Sequence, residues 1–161
     1  MRERASPLLI AILFLLIPLN VSAAESVPED VREYAEEIGA EYGICPEIIE
    51  AMCYEETRFT PSATSPNGKC QGIMQVNPGC HKKRMERLGV TDIYDTYGNM
   101  LVGTDYLVEI LETHEDIGEA LMVYNGSSGR KIENYQTTGR MTSYADRILK
   151  RSAEYERQHG K

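Results

Sequence analysis

Apolar residues recur along this chain at intervals of three and four, the signature of helices with one buried face. The first such stretch runs from Pro28 to Tyr42, with Val31, Tyr34, Ala35 and Ile38 on one stripe. Pro28 suits a first helical turn, Glu29 and Asp30 suit the positive end of the helix dipole, and Gly43 stops the helix. A second stretch opens at Pro46 and runs to Glu56 or Thr57. Its stripe is Cys45, Ile48, Ile49, Met52 and Cys53, with Glu47, Glu50 and Glu55 off it. One more turn brings that stripe to Glu56. A carboxylate at the end of a buried face is either a proton donor whose pKa burial raises, or a solvated residue just past the helix end.

Thr60 to Gly68 is rich in turn formers and reads as a loop. Gln71 to Gly79 is a short apolar segment bounded by glycine and proline, the pattern of a short strand or irregular hairpin. Gln75 lies inside it and either serves backbone groups or points into a cleft. Further helices follow over His81 to Leu88, Tyr97 to His114 (with Tyr97, Leu101, Thr104, Val108 and Leu111 on one face) and Ile117 to Tyr124. The loop Asn125 to Gly129 is either plain capping or a sugar-binding loop. A last helix begins near Ser143 and carries Tyr144, Ala145, Ile148 and Leu149. No repeat, low-complexity tract or linker interrupts residues 28–156, so a single, mainly helical domain with one small β element is expected.

The first 24 residues read differently. Arg2 and Arg4 precede an apolar run from Leu8 to Leu19, and Val21-Ser22-Ala23-Ala24 offers small residues to a signal peptidase. The run contains Pro18 and falls short of the roughly 20 residues that span a membrane. A cleaved export signal over 1–24, followed by a domain over 25–161, is therefore the expected organisation, with an exported location. After cleavage the protein would not be an integral membrane protein.

Composition narrows the partners. The chain carries a formal net charge of −8, and loss of the signal would make it slightly more acidic. No basic stripe suits nucleic acid; Lys82-Lys83-Arg84 and Arg87 read as a solvated helix face. Ten tyrosines and no tryptophan leave tyrosine, with its flat face and hydroxyl, as the residue to line a carbohydrate cleft. Four cysteines, Cys45, Cys53, Cys70 and Cys80, favour two disulfides in an oxidising compartment. Three pairings are open; Cys45–Cys70 with Cys53–Cys80 would tie the Glu56 helix to the loops after it, whereas Cys53 on the apolar stripe also suits a free core thiol. The cysteines form no C-x-x-C pair and the three histidines are scattered, so neither a metal site nor a cofactor is expected.

These segments also occur in a telling order. Glu56-Thr57-Arg58-Phe59-Thr60-Pro61-Ser62-Ala63-Thr64-Ser65, then Gly72-Ile73-Met74-Gln75, then Ala120 to Gly126 with Tyr124-Asn125, then Tyr144, resembles the bacterial soluble lytic transglycosylase (SLT) domain, a relative of goose-type lysozyme. Asp95, Asn99, Gly103 and Leu107 also match that family's helix after the glutamine turn. Thr57 stands where the family usually has serine, one residue is added between Gly68 and Gly72, and Arg140 replaces a glutamate found in some members.

The resemblance implies an α+β lysozyme-like fold, mainly α, with a small β-hairpin beside the catalytic cleft. It implies peptidoglycan glycan strands as substrate and cleavage between N-acetylmuramic acid and N-acetylglucosamine. Glu56 would be the catalytic acid and then the base, closing a 1,6-anhydro ring on the muramic sugar. Ser65, Gln75 and Tyr124 would contact substrate, with Tyr124 hydrogen-bonded close to Glu56. Thr57, Met74, Asn125 and Tyr144 would support them. Most glycosidases use two carboxyl groups, and here Glu55 is turned about 100° around the helix from Glu56, which fits a single acid–base residue. The alternatives are a hydrolytic muramidase recruiting a distant carboxylate such as Asp92, Asp95 or Asp105, and a non-catalytic wall-binding or assembly protein, which would be expected to lose the acid. By analogy, an envelope-spanning secretion or conjugation apparatus is a candidate setting, with a phage or wall growth as the others.

Overall fold

The computed structural model describes residues 26–161; the expected export signal lies outside them. Seven helices follow in order: α1 Glu29–Tyr42, α2 Pro46–Thr57, α3 Pro78–Leu88, α4 Thr96–Leu111, α5 Ile117–Tyr124, α6 Gly129–Thr138 and α7 Ser143–Gln158. Helix α2 is the axis of the packing. It lies most extensively against α7 and also touches α1 and α4, and every residue from Glu47 to Cys53 is buried.

That enclosure corrects one expectation. Glu47 and Glu50, read as lying off the apolar stripe, are 1% and 0% exposed. A helix with neighbours on several sides buries residues beyond a single stripe, and its charged positions go inside with them. The face of α4 also differs from the expected one. It is centred on Met100, Gly103, Thr104 and Leu107, while Tyr97, Leu101, Val108 and Leu111 are only half-buried. The helix stops at Leu111, short of His114.

Helix α6 had no counterpart in the sequence reading. Its only buried residue is Ile132, and a segment with one core contact carries almost no periodic apolar signal. Its anchors are polar: the Tyr135 hydroxyl donates to Asp116 Oδ1 at 2.8 Å and the Gln136 amide donates to Glu119 Oε1 at 2.9 Å.

The small β-hairpin is absent among the described residues. In its place are two isolated antiparallel bridges, Thr64 with Gln71 and Gln71 with Val76. Side chains hold this region instead of a ladder. Asn99, buried on α4, accepts from the Met74 backbone N–H at 2.8 Å and donates to the carbonyls of Gln71 and Ile93 at 2.9 and 2.8 Å. Gly72 has φ 78°, and a Cβ there would lie 2.1 Å from Asn99 Nδ2. Only glycine admits both the conformation and the asparagine.

The expected disulfides are likewise not formed. All four cysteines are free thiols; Cys53 is a fully buried core residue, and the Cys45 thiol donates to Glu47 Oε2 at 3.0 Å. The basic segment of α3 is only partly a solvated face. Lys82 is exposed, whereas the Arg84 side chain is 9% exposed and ion-paired with Asp105 at 2.6 Å.

Candidate active site

Glu56 occupies the last turn of α2, half-buried. The helix ends through Arg58 and Phe59, two consecutive non-glycine residues with φ 52° and 59°. Left-handed backbone at such residues costs of order 1 kcal/mol each and persists where surrounding contacts enforce it. Here Thr57 is the enforcing residue: its hydroxyl donates to the Ile73 carbonyl at 2.9 Å and accepts from the Thr60 backbone N–H at 3.1 Å. The acid-bearing turn and the Gly72–Gln75 turn are thereby fastened together.

Tyr144, in the first turn of α7 and 8% exposed, donates its hydroxyl to Glu56 Oε1 at 2.5 Å. Burial raises the Glu56 pKa above its ordinary value; the Tyr144 hydrogen bond opposes this, and the negative charge of Glu55 adds to the rise. Tyr144 itself is held well above the usual phenol range, first by burial and then by the Glu56 charge. A half-buried carboxyl group with a tyrosine donor and a raised pKa is suited to keep a proton and release it to a bound leaving group.

Glu55 and Glu56 line one cavity of about 410 Å³ together with Tyr54, Thr57, Arg58, Arg147 and Arg151. The two carboxylates nonetheless differ in kind. Glu55 is bound by Arg147 Nε at 2.6 Å and by Arg151 Nε at 3.0 Å. Burial pushes its pKa upward, but hydrogen bonds from the two arginines outweigh this and hold it below the usual carboxylate value. Arg151 also stacks on Tyr54, with its guanidinium carbon 3.4 Å from the ring centroid. Glu55 shares the cavity, contrary to the simple helical-wheel expectation, as a neutralised anion.

The other expected residues divide by what their polar atoms already do. Tyr124, at the end of α5, donates to the Met74 carbonyl at 3.3 Å and not to Glu56; burial, then the nearby Glu56 charge, raises its pKa. Met74 is fully buried against α4, where a Cβ on Gly103 would lie 2.8 Å from the Met74 sulfur and 3.0 Å from the Tyr124 hydroxyl oxygen. Gln75, at φ 50°, donates from Nε2 to the carbonyls of Gly72 at 3.0 Å and Ala63 at 3.4 Å. Ser65 donates to Asn67 Oδ1 at 2.8 Å and accepts from the Cys70 backbone N–H at 2.9 Å. Asn125 is the exposed C-cap of α5. Ser65, Gln75 and Tyr124 do not line the Glu55–Glu56 cavity.

None of the three distant acids pairs with Glu56. Asp95 caps α4 through the Gly98 N–H, Asp92 accepts from the Tyr94 N–H, and Asp105 is bound by Arg84, Arg87 and Tyr42. The sequence reading missed Arg147 and Arg151. Their signal was available: both lie on α7 within two turns of Tyr144, at positions i+3 and i+7, hence on the same face.

Residues 33–146 match the transglycosylase SLT domain. A transglycosylase of Enterobacteria phage PRD1 is 31% identical over 111 residues, which are 69% of this chain and 38% of the phage protein. A membrane-bound lytic murein transglycosylase F of Desulfosudis oleivorans is 29% identical over 117 residues, covering 68% of this chain and 25% of that protein. The chain thus spans between a quarter and two fifths of the length of these relatives. Among solved structures, an inactive mutant of the lytic transglycosylase Slt from Pseudomonas aeruginosa has the same fold, with a TM-score of 0.69 at 19% identity over 83% of this chain and 25% of that one. With the family match extending over most of the described residues, the chain belongs to the transglycosylase SLT domain family.

Proposed function

We propose that this protein is a peptidoglycan lytic transglycosylase that cleaves the β-1,4 bond between N-acetylmuramic acid and N-acetylglucosamine, with Glu56 as its single acid–base residue. The observation that carries this reading is the contrast inside one cavity: Glu56 faces a tyrosine hydroxyl at 2.5 Å with its pKa raised, and Glu55 is tied to two arginines with its pKa lowered. Only one of the two carboxyl groups is fit to move a proton.

Protonated Glu56 donates to the glycosidic oxygen as that bond breaks, and the bond's electron pair leaves with the N-acetylglucosamine oxygen. Positive charge develops at the muramic anomeric carbon, where the sugar's own N-acetyl group stabilises it. The Glu56 carboxylate, held in place by Tyr144, then takes the proton of the muramic C6 hydroxyl. The C6 oxygen closes on the anomeric carbon to give the 1,6-anhydro sugar. Glu56 ends protonated, and neither water nor a cofactor is consumed. Gln75 and Ser65 stiffen their loop through hydrogen bonds with Gly72, Ala63, Asn67 and Cys70 and would contact the glycan strand beyond the Glu56 cavity; Tyr124 holds the Met74 carbonyl, and Asn125 caps α5.

Export by a segment over 1–24, and action in the wall or periplasmic space on glycan strands, belong to the same proposal. No helix among the described residues is long and apolar enough to cross a membrane. One relative is a transglycosylase of a phage and others are described as membrane-bound; wall opening for an envelope-spanning secretion or conjugation apparatus, or for a phage, is the proposed setting.

The test is digestion of purified peptidoglycan with the protein and with Glu56→Gln, read by mass spectrometry. Anhydro-muropeptides from the first and none from the second are expected. Reducing-end products would replace the transglycosylase with a muramidase, and equal activity in the variant would remove Glu56 from the chemistry.

A further inference from the structure

At the opposite end of α2 from Glu56, the N-terminus of α2 meets the C-terminus of α7, and a second cluster of chemically able side chains collects there. The Cys45 sulfur lies 3.0 Å from Glu47 Oε2 and 3.5 Å from Glu156 Oε1, and ligand atoms of these three residues all fall within 4.8 Å of one another. His159 stands beside this group of three, with Nδ1 3.1 Å from Glu47 Oε1, and would turn inward to join it. Sulfur–oxygen separations of 3.0 and 3.5 Å are close to the tetrahedral edge of roughly 3.5 Å that follows from Zn–S near 2.3 Å and Zn–O near 2.0 Å.

An acidic cluster with a cysteine is not yet a site. The independent observation is Glu50. It is 0% exposed, neither carboxylate oxygen has a hydrogen-bond partner, and Oε2 faces His159 Nε2 at 3.9 Å. The imidazole therefore stands between the cluster and an unsatisfied buried carboxylate, one nitrogen toward each. That is the arrangement in which a metal-bound histidine gives its other N–H to a carboxylate behind it. The same end already attracts a cation, since the Lys161 ammonium sits 2.7 Å from Glu47 Oε1.

We propose that Cys45, Glu47, Glu156 and His159 bind a divalent transition-metal ion, zinc by the chemistry of the donor set, with Glu50 orienting His159. Thiolate, imidazole and carboxylate together select zinc over magnesium or calcium, and four protein ligands make the site structural. On binding, the Cys45 thiol proton goes to solvent, His159 binds through the Nδ1 lone pair while Nε2–H turns to Glu50, and the Lys161 ammonium leaves Glu47. Entry is open, because Cys45 and Glu156 line a cavity of about 420 Å³. The ion would clamp the two helices whose other ends carry Glu56 and Tyr144.

The test is cobalt titration of the full-length, untagged, chelator-treated chain, followed by optical absorption. Saturation at one equivalent with a cysteinate-to-cobalt charge-transfer band is expected, and zinc should abolish the band by displacement. Zinc at 100-fold its Kd should raise the thermal midpoint by roughly 5–10 °C. Cys45→Ser, at an exposed position, should remove the band; Glu50→Gln should keep it and weaken binding about 10- to 100-fold; Cys80→Ser should leave both unchanged. Absence of the band, or a band lost in Cys80→Ser and kept in Cys45→Ser, overturns the proposal. None of these readouts depends on peptidoglycan cleavage.

Discussion

The two ends of the α2–α7 pair show how the same residue type is given opposite tasks. At one end Glu55 has two arginines and Glu56 has one tyrosine. At the other, Glu47 gathers Cys45, His159 and Lys161 while Glu50 has no hydrogen-bond partner. The first end separates its carboxylates into a neutralised anion and a proton carrier. The second concentrates ligand atoms around one buried acid and leaves the next unsatisfied. What distinguishes the ends is the partner each carboxylate receives from α7 and from the residues just beyond the two helices, since α2 supplies an adjacent or near-adjacent pair of glutamates at both.

The sharpest way to break this comparison is at Glu56. Glu56→Gln keeps the shape and removes the transferable proton, so cleavage of peptidoglycan should fall by about 10³-fold, within the usual range for loss of a general acid. Stability should move the other way. Burial, the largest influence, raises the folded pKa of Glu56 above its ordinary value of 4.5. The fold therefore favours the protonated form: its contribution is complete below the unfolded pKa and is lost as pH climbs through the folded one. Glu56→Gln should melt higher than the parent at pH 8 and equally at pH 4, by differential scanning calorimetry. A lower midpoint at pH 8 would mean that the charged form is the one stabilised.

The helices other than α6, and the place of Glu56 at the end of α2, were legible in the sequence because each rests on local pattern: Pro46 opens α2, Asp95 and Asp116 cap α4 and α5, and the stripe through Met52 and Cys53 leads to Glu56. The partners of the acid were less so. Tyr144 lies 88 positions from Glu56 and Arg147 lies 92 from Glu55, and no local period encodes a contact at that distance. The burial of Glu47 and Glu50 was illegible for a related reason, since a single-helix stripe does not count how many neighbours surround it. The missing hairpin has a different cause: its segment is held by Asn99, a residue of α4, where a strand pairing was expected.

A smaller effect tests the tyrosine. Tyr144→Phe removes the donor that lowers the Glu56 pKa, so the alkaline limb of the pH–rate profile should shift to higher pH. The maximal rate should fall about 10-fold as the carboxylate loses its orienting contact. A lowered rate with an unmoved profile would make Tyr144 a packing residue only. Smaller again is Arg147→Ala. Arg147 is about half exposed at 52%, and its loss leaves Arg151 on Glu55, so the expected destabilisation is about 1 kcal/mol. Because the arginines hold the Glu55 pKa down, the stability they add is present above the ordinary carboxylate pKa and vanishes as pH falls through the folded one. Parent and Arg147→Ala should therefore differ in urea midpoint at pH 7 and converge as the pH falls through the lowered Glu55 pKa.

Glu50 should have the least influence on activity and a clear one on pH dependence. Burial, followed by the charge of Glu47, pushes its pKa up to about 8. In the fold it is protonated at neutral pH, whereas in the unfolded chain it ionises near 4.5. Metal-free protein should accordingly lose stability as pH rises from about 4.5 to about 8, and Glu50→Gln should flatten that slope while leaving the cleavage rate unchanged. The comparison between the two ends depends on this outcome. A slope unaltered by Glu50→Gln would mean that Glu50 carries its charge inside the fold, with the nearby positive charges of Lys161 and Arg32 outweighing burial and the charge of Glu47.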